Sequence, residues 1–285
     1  MSRWERRASA RTPPVSANPG TCHYPGVDDV LRLHVQPELR DPAMVLSFGG
    51  WNDAGESATT AVGYIDDAVR AVPLATLDPD PFYDFTVHRP VLRRSGDESL
   101  QVDWPTNVLR FGSLDGTREI VLGSGVEPHL RWRSFCDAYV NLALDLGVRR
   151  VVLMGAYLAD VVYSQPVVLS GFSSDPEALP EFDVQGSSYE GPTGILGVLA
   201  DRFRSEGMWV LSLWAGLPHY IEASPNPRGA LALVSKVSEA LDFRIDLDPL
   251  RREAAEYEEK VSRTVSEDSE LTEYVRGLKK RDFAQ

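Results

Sequence analysis

Apolar residues in this chain alternate between short, nearly uninterrupted runs and longer stretches at helical spacing, so strands and helices are predicted to follow one another. Val30 to Val35 alternates enough for a strand, and Pro37 to Pro42 reads as a turn. Met44 to Phe48 is a strand-type run that stops at Gly49-Gly50. A helix follows over Ala54 to Val69, with Ala58, Ala61, Val62, Ile65, Ala68 and Val69 on one face. Phe82 to Val87 reads as a strand, and Val91 to Pro105 as a polar surface loop carrying Trp104. Asn107 to Ser113 and Arg118 to Gly123 are two strands joined at Asp115-Gly116, a hairpin turn signal. A helix ending at Leu146 is closed by Gly147, and Val148 to Met154 is Val-rich, as parallel strands buried on both faces tend to be. Pro166 to Ser170 is a further candidate strand, and the Ser-, Asp-, Pro- and Gly-rich stretch 171–188 reads as an irregular excursion. A helix from Gly194 to near Gly207, a buried strand over Met208 to Trp214, and a helix from Arg228 to Leu241 complete the alternation. Asn226 and Pro227 are suited to the cap and first turn of that last helix.

The pattern predicts an α/β fold with a largely parallel sheet covered on both faces. Three regions are expected: a mobile arm over 1–28, an α/β core over 29–246 and a helical extension over 247–285. In the extension, Leu250, Ala254, Tyr257 and Val261 form one stripe, and Leu271, Tyr274, Val275 and Leu278 a second. Ser266 to Ser269 breaks them, so a helical hairpin is expected to pack on the body or on a second subunit.

A chain of 285 residues can bury a sizeable core without disulfides or metal. Its net charge of −13 argues against a nucleic-acid partner, which needs a clustered basic face, and fits a basic protein partner. The two cysteines, Cys22 and Cys136, suggest neither a disulfide framework nor a zinc site, and this usage suits a reducing cytoplasm. The arginines at the N-terminus precede no apolar segment of the secretory type, and no run is long enough to span a bilayer.

Candidate chemistry gathers where strands end. Gly49 and Gly50 free backbone N–H groups that could hold an anion or carbonyl, with Asp53 as a base. The same glycines could serve a tight turn, with Asn52 or Asp53 capping the helix and Trp51 covering the sheet edge. Glu127 and His129 flank Pro128 and could do acid/base work, or could complement a helix dipole. Asp160 lies near a second strand end, Tyr189-Glu190-Gly191-Pro192-Thr193-Gly194 fixes an unusual backbone, and His219 follows the last buried strand. No serine-nucleophile elbow, metalloprotease helix or Cys-x-x-Cys pair occurs, and no metal or cofactor is implied.

With those residues in hand, the chain resembles the proteasome assembly chaperone two family, in the branch found in actinobacteria. The matching segments are Phe48 to Gly55, Leu146 to Val148 with Val152 to Asp160, Tyr189 to Ile195, Ser212 to Ala215 with Pro218 to Tyr220, and Pro225 to Pro227. The resemblance implies a three-layer α/β/α sandwich, similar to phosphorylase- and peptidyl-tRNA hydrolase-like sheets. It also implies self-association as a homotrimer or other small oligomer. Members named for function are chaperones that help build the proteasome α-ring, so proteasome subunits are the implied partners. Two departures stand out. Bacterial relatives usually read Asp-Val-Pro-His-Thr-Arg-Pro where this chain has Asp160-Val-Val-Tyr163-Ser-Gln165-Pro166, and Tyr163 and Gln165 cannot supply the same charge. The end, Phe283-Ala284-Gln285, lacks the penultimate Tyr through which some archaeal members dock. Two functions compete: a non-enzymatic assembly or scaffold protein, and a ligand binder or enzyme of hydrolase, phosphorylase or carboxylate-amine ligase type acting at the sheet's carboxyl edge.

Overall fold

The computed structural model describes residues 30–94, 99–114, 116 and 118–282. The N-terminal arm, Asp115 and the last three residues lie outside them. In chain order the first half comprises β1 (Leu31–Leu33), β2 (Ala43–Gly49), α1 (Ser57–Val69), β3 (Val72–Leu77), β4 (Val91–Arg94), β5 (Leu100–Asp103), β6 (Asn107–Ser113), β7 (Glu119–Val126) and α2 (Trp132–Asp145). The second half comprises β8 (Arg150–Ala159), β9 (Leu169–Ser173), α3 (Ala178–Glu181), β10 (Gln185–Gly186), α4 (Ile195–Ser205), β11 (Trp209–Pro218), α5 (Pro227–Ala240), α6 (Asp248–Glu267) and α7 (Ser269–Asp282).

One sheet of nine strands runs β1-β3-β6-β7-β2-β8-β11-β9-β10, and β4 and β5 form a separate two-stranded hairpin. The central four strands, β7, β2, β8 and β11, are mutually parallel, while β6 and β9 flank them antiparallel. Successive side chains of β2 enter opposite cores. Ala43 and Val45 pack with α1 and α5, and Met44, Leu46 and Phe48 pack with α2 and α4. Both faces of the central strands are therefore apolar, which explains their unbroken hydrophobic runs. The result is a three-layer α/β/α sandwich with a mixed sheet. Phe48 meets Phe135 and Tyr139 edge-on, each at 5.6 Å, and Phe135 meets Phe82 at 5.3 Å. Cys136 is buried in the same layer, where loss of solvation pushes its thiol up to about 12.

Several elements differ from the sequence pattern. Phe82 to Val87 is a series of turns, because Phe82 and Tyr83 are drawn into the α2 core instead of joining the sheet. The expected loop over 91–105 holds the β4–β5 hairpin. β3, hidden in the sequence by Pro73 right after a helix, pairs with β6 across a register shift between Pro73 and Ala75. β9 lies three residues beyond its expected start, and the excursion after it contains α3 and β10. α2 begins only at Trp132, since Arg131 adopts a left-handed φ of 52° immediately before it, so Pro128 and His129 precede the helix.

The C-terminal pair α6–α7 packs on the body. Leu250 joins the α1/α5 core, and Val261, Val265, Val275 and Leu278 form a third apolar cluster with Val162.

Candidate functional site

Three polar knots and one groove account for the residues that the sequence singled out. The first knot ties the ends of β2 and β7 to α4. Gly50 turns the chain with φ of 107°, which only glycine adopts freely, and Asn52 then enters the interior fully buried. Its Nδ2 donates to Glu127 Oε1 at 2.8 Å, and the Ile195 N–H donates to the same oxygen at 2.7 Å. Gly194 precedes α4 and has no side chain to cap it, so the Glu127 carboxylate does that work from β7. Ala156 N–H donates to the Asn52 carbonyl at 2.8 Å, which fastens β8 to the same turn. A Cβ on Gly194 would lie 2.0 Å from Asn52 Oδ1, so this position has no room for a side chain.

The second knot is Asp53. A short 3-10 turn over Ala54–Glu56 precedes α1, and Glu56 at the cap position has no side-chain capping bond. Asp53 supplies the cap from further back. Its Oδ1 accepts from Ala58 N–H at 2.6 Å, and its Oδ2 accepts from Thr59 Oγ1 at 2.5 Å and Thr59 N–H at 3.3 Å. Burial is the largest influence on this carboxyl and holds it above its ordinary value, against the opposing pull of those donors.

The third knot joins the carboxyl ends of β8 and β11 to the C-terminal helices. Asp160 Oδ1 lies 2.9 Å from His219 Nε2 and accepts from Tyr274 Oη of α7 at 2.9 Å. His219 Nε2 and Tyr274 Oη are also 2.9 Å apart. Tyr220 Oη accepts from the Tyr163 N–H and donates to the Val161 carbonyl, each at 3.0 Å, and Tyr163 Oη reaches Ser262 Oγ of α6 at 3.3 Å. At β8 and β11 this edge is bordered by α6 and α7, with Asp160 and His219 still partly exposed.

His129 joins none of these knots. Its Nδ1 accepts from the Asp84 N–H at 3.0 Å and its own N–H donates to the Phe82 carbonyl, so it locks the turns after β3. Glu190 is exposed. The candidates therefore do not converge on one crevice. Asp53, Glu127 and His129 are each engaged in helix capping or loop closure, and Asp160, Tyr163 and His219 in holding helices.

The groove lies on the α4 face of the sheet beyond that helix. It has a volume of about 860 Å³. Ser170 and Phe172 of β9 and Ser212 and Trp214 of β11 make its floor, in register as Ser170 with Trp214 and Phe172 with Ser212. Trp51 and Tyr189 stand on its rim, 64% and 65% exposed, and the small residues Gly197 and Ala200 of α4 form a wall. Its origin is geometric. Two helices, each about 10 Å across, cover about four strands spaced about 4.8 Å apart, so α2 and α4 leave β9 bare. Sequence reasoning found Trp51 and Tyr189 but missed the floor. The repeated serine-x-aromatic pattern in Ser170-Gly171-Phe172 and Ser212-Leu213-Trp214 was the available signal. Among the described residues, no three His, Cys, Asp or Glu side chains are grouped to hold a metal ion, and no helix is long and apolar enough to cross a membrane.

The fold and these knots define a class: an α/β/α sandwich whose C-terminal helices are tied to the ends of β8 and β11. The family profile described as PAC2 family matches residues 47–265, and the chain belongs to that family. It is similar to a Streptomyces avermitilis PAC2 family protein at 39% identity, covering 82% of this chain and 100% of the other with a TM-score of 0.75. It is similar to a Mycobacterium tuberculosis proteasome-assembly chaperone homologue at 37% identity, covering 82% and 99% with a TM-score of 0.76. An archaeal proteasome activator from Pyrococcus furiosus shares the fold at 17% identity, covering 82% and 97% with a TM-score of 0.65. No curated protein sequence matches the chain.

Proposed function

We propose that this protein is a non-enzymatic assembly or scaffold protein that binds protein partners, proteasome subunits being the partners its family suggests. The observation that carries this reading is the third knot. Asp160 and His219, the acid and imidazole best placed for chemistry at the sheet's carboxyl edge, are joined to Tyr274 of α7. Beside β8 and β11 the edge thereby presents helical surface, with α6 and α7 alongside these two groups. On α6, Glu253, Glu256, Glu259 and Glu267 are exposed with Arg252, Lys260 and Arg263 among them, and Asp268 and Glu270 follow at the bend. Such a mixed helical surface, most acidic at the bend, offers its carboxylates to basic groups of a partner. The competing reading, an enzyme or ligand binder at this edge, needs polar groups that converge, and here they are dispersed among separate structural roles.

The test is affinity capture from native lysate with mass spectrometry and sizing of the complex. The expected result is stoichiometric recovery of proteasome α-subunits or precursor rings by the wild-type chain, and their loss with Glu253→Lys/Glu256→Lys/Glu259→Lys. Recovery of the chain alone would count against the partner, and unchanged capture by the triple variant would count against the surface.

A further inference from the structure

The rings of the groove beside α4 are set before anything enters it. Trp214 Nε1 donates to Ser212 Oγ at 3.0 Å, and the ring lies over Gly155 of β8, where a Cβ would fall 2.7 Å from it. Tyr189 Oη donates to the Pro192 carbonyl at 2.9 Å, and Tyr157 Oη lies 3.4 Å from Ser170 Oγ. Trp51, Phe172 and Tyr189 remain exposed. Aromatic groups held in this way lose little freedom when a ligand arrives. The polar groups among them are mostly hydroxyls, on Ser170, Ser187, Ser188 and Thr193, and the one carboxylate, Asp201, is paired with Arg204 at 2.7 Å. Such a groove fits an extended polyproline II segment, whose proline rings rest on aromatic faces and whose carbonyls, free of internal bonds, accept from hydroxyls. It does not fit an added strand, because β9 already pairs with β11 and β10.

The chain itself supplies a proline-rich segment, Arg11-Thr12-Pro13-Pro14-Val15-Ser16-Ala17-Asn18-Pro19, ahead of the described residues. The sheet topology delivers it to the right end of the molecule. β1 is antiparallel to β3, β3 to β6 and β6 to β7, whereas β7 is parallel to β2. β1 therefore runs against the central strands, and Val30 at its start stands at their carboxyl edge. Trp51, just past β2, and Tyr157, near the end of β8, border the groove at that same edge. From β1 to β9 is seven strand spacings, about 34 Å. Pro14 precedes Val30 by 16 residues, which span about 50 Å at about 3.1 Å per residue. The segment has the reach. We propose that Pro13 to Pro19 occupies the Trp51–Phe172–Trp214 groove of its own chain.

Charge favours the same pairing. Residues 1–27 hold Arg3, Arg6, Arg7 and Arg11 against Glu5 alone, while the chain as a whole carries −13, so the rest of it bears the entire acidic excess. A basic segment tethered to an acidic body is drawn onto it. Glu190, exposed next to Tyr189, adds a carboxylate at the groove's rim. Tethering also raises the local concentration of the segment far above that of a free peptide. The groove is then closed to proline-rich segments from outside until the arm leaves it.

The experiment is disulfide trapping in the full chain carrying Ser16→Cys, Ser188→Cys and Cys22→Ser. Ser188 lines the groove and is exposed, and Cys136 is buried, so the fold is undisturbed and no other thiol competes. With oxidised glutathione as the oxidant, mass spectrometry of the intact chain follows the link between the two new cysteines. The link is expected to form at least tenfold faster than in the same chain with Pro13→Gly/Pro14→Gly, whose arm has equal length and charge but has lost its prolines. Trp51→Ala, a change at an exposed ring of the groove, is expected to slow it equally. Equal rates with and without the prolines would mean chance collision and overturn the proposal. A link between two chains, read as doubled mass, would give the groove to the arm of a second copy and overturn it as well. So would a slow link in the unaltered arm while a synthetic peptide of residues 9–20 still binds the full chain and is lost with Trp51→Ala, since the groove would then serve a segment from outside. Charge reversal on α6 touches neither the arm nor the groove, so this contact and the partner reading fail separately.

Discussion

Gly194→Ala isolates the knot that ties β2, β7 and α4. Gly194 has φ of −83° and ψ of −177°, a conformation open to alanine, so the backbone incurs no strain. If that were all, the substitution would stabilise the chain by about 0.4–1 kcal/mol, by restricting the unfolded state. The added Cβ, however, would fall 2.0 Å from Asn52 Oδ1, 2.8 Å from its Cγ and 2.9 Å from Glu127 Oε1. Those atoms are held by the bonds that cap α4, and Asn52 is fully buried, so it has nowhere to go without breaking them. Losing two hydrogen bonds to a carboxylate costs about 1.5–3 kcal/mol each. The net expectation is a loss of about 2–5.5 kcal/mol after the opposing entropy gain. For a chain of this size that lowers Tm by on the order of 10 °C, and lowers the urea midpoint by about 1 M. Asn52→Ala removes the obstructing Oδ1, so Gly194→Ala should cost at least about 1 kcal/mol less in that background, read as coupling in a double-mutant cycle. A single variant within about 1 kcal/mol of wild type, or an additive pair, would refute the account.

Two further expectations concern the other knots. The folded chain holds the Asp53 carboxyl above its ordinary value of 3.8, chiefly through burial, so its share of stability is fully present below pH 3.8 and is lost as pH rises through the raised value. Asp53→Asn does not titrate, so the stability of this variant relative to wild type should rise from pH 4 to pH 7 in urea unfolding; a flat or falling difference would contradict the sign. Tyr274→Phe should loosen the seating of α7 on Asp160 and His219 by removing both bonds of its hydroxyl. Hydrogen exchange over 269–282 should then quicken while β2 and β8 keep their protection, and unchanged exchange there would mean that the contact does not hold the helix.

The sequence by itself determined the layers. Runs such as Val151 to Met154 are apolar on both faces because helices cover both sides of a parallel strand, and that requirement is written residue by residue. It also marked the C-terminal stripes through Leu250 and Leu278, since helical spacing is local, and the Asn226 cap of α5, whose Oδ1 accepts from Arg228 and Gly229 N–H. The tertiary structure alone decided what the polar residues are for. Asp53 caps a helix five residues away, Glu127 caps one that starts 68 residues later, and Asp160 meets a tyrosine 114 residues later. None of these distances leaves a period in the chain. β3 and the β4–β5 hairpin escaped pattern reading for a related reason. β3 buries Leu74, Ala75 and Leu77 but carries a proline right after a helix, and the hairpin is exposed along nearly its whole length, so neither shows a clean alternating pattern. The groove is the extreme case. It exists because two helices are too narrow to cover every strand beside them, a property of the packed layers rather than of any segment.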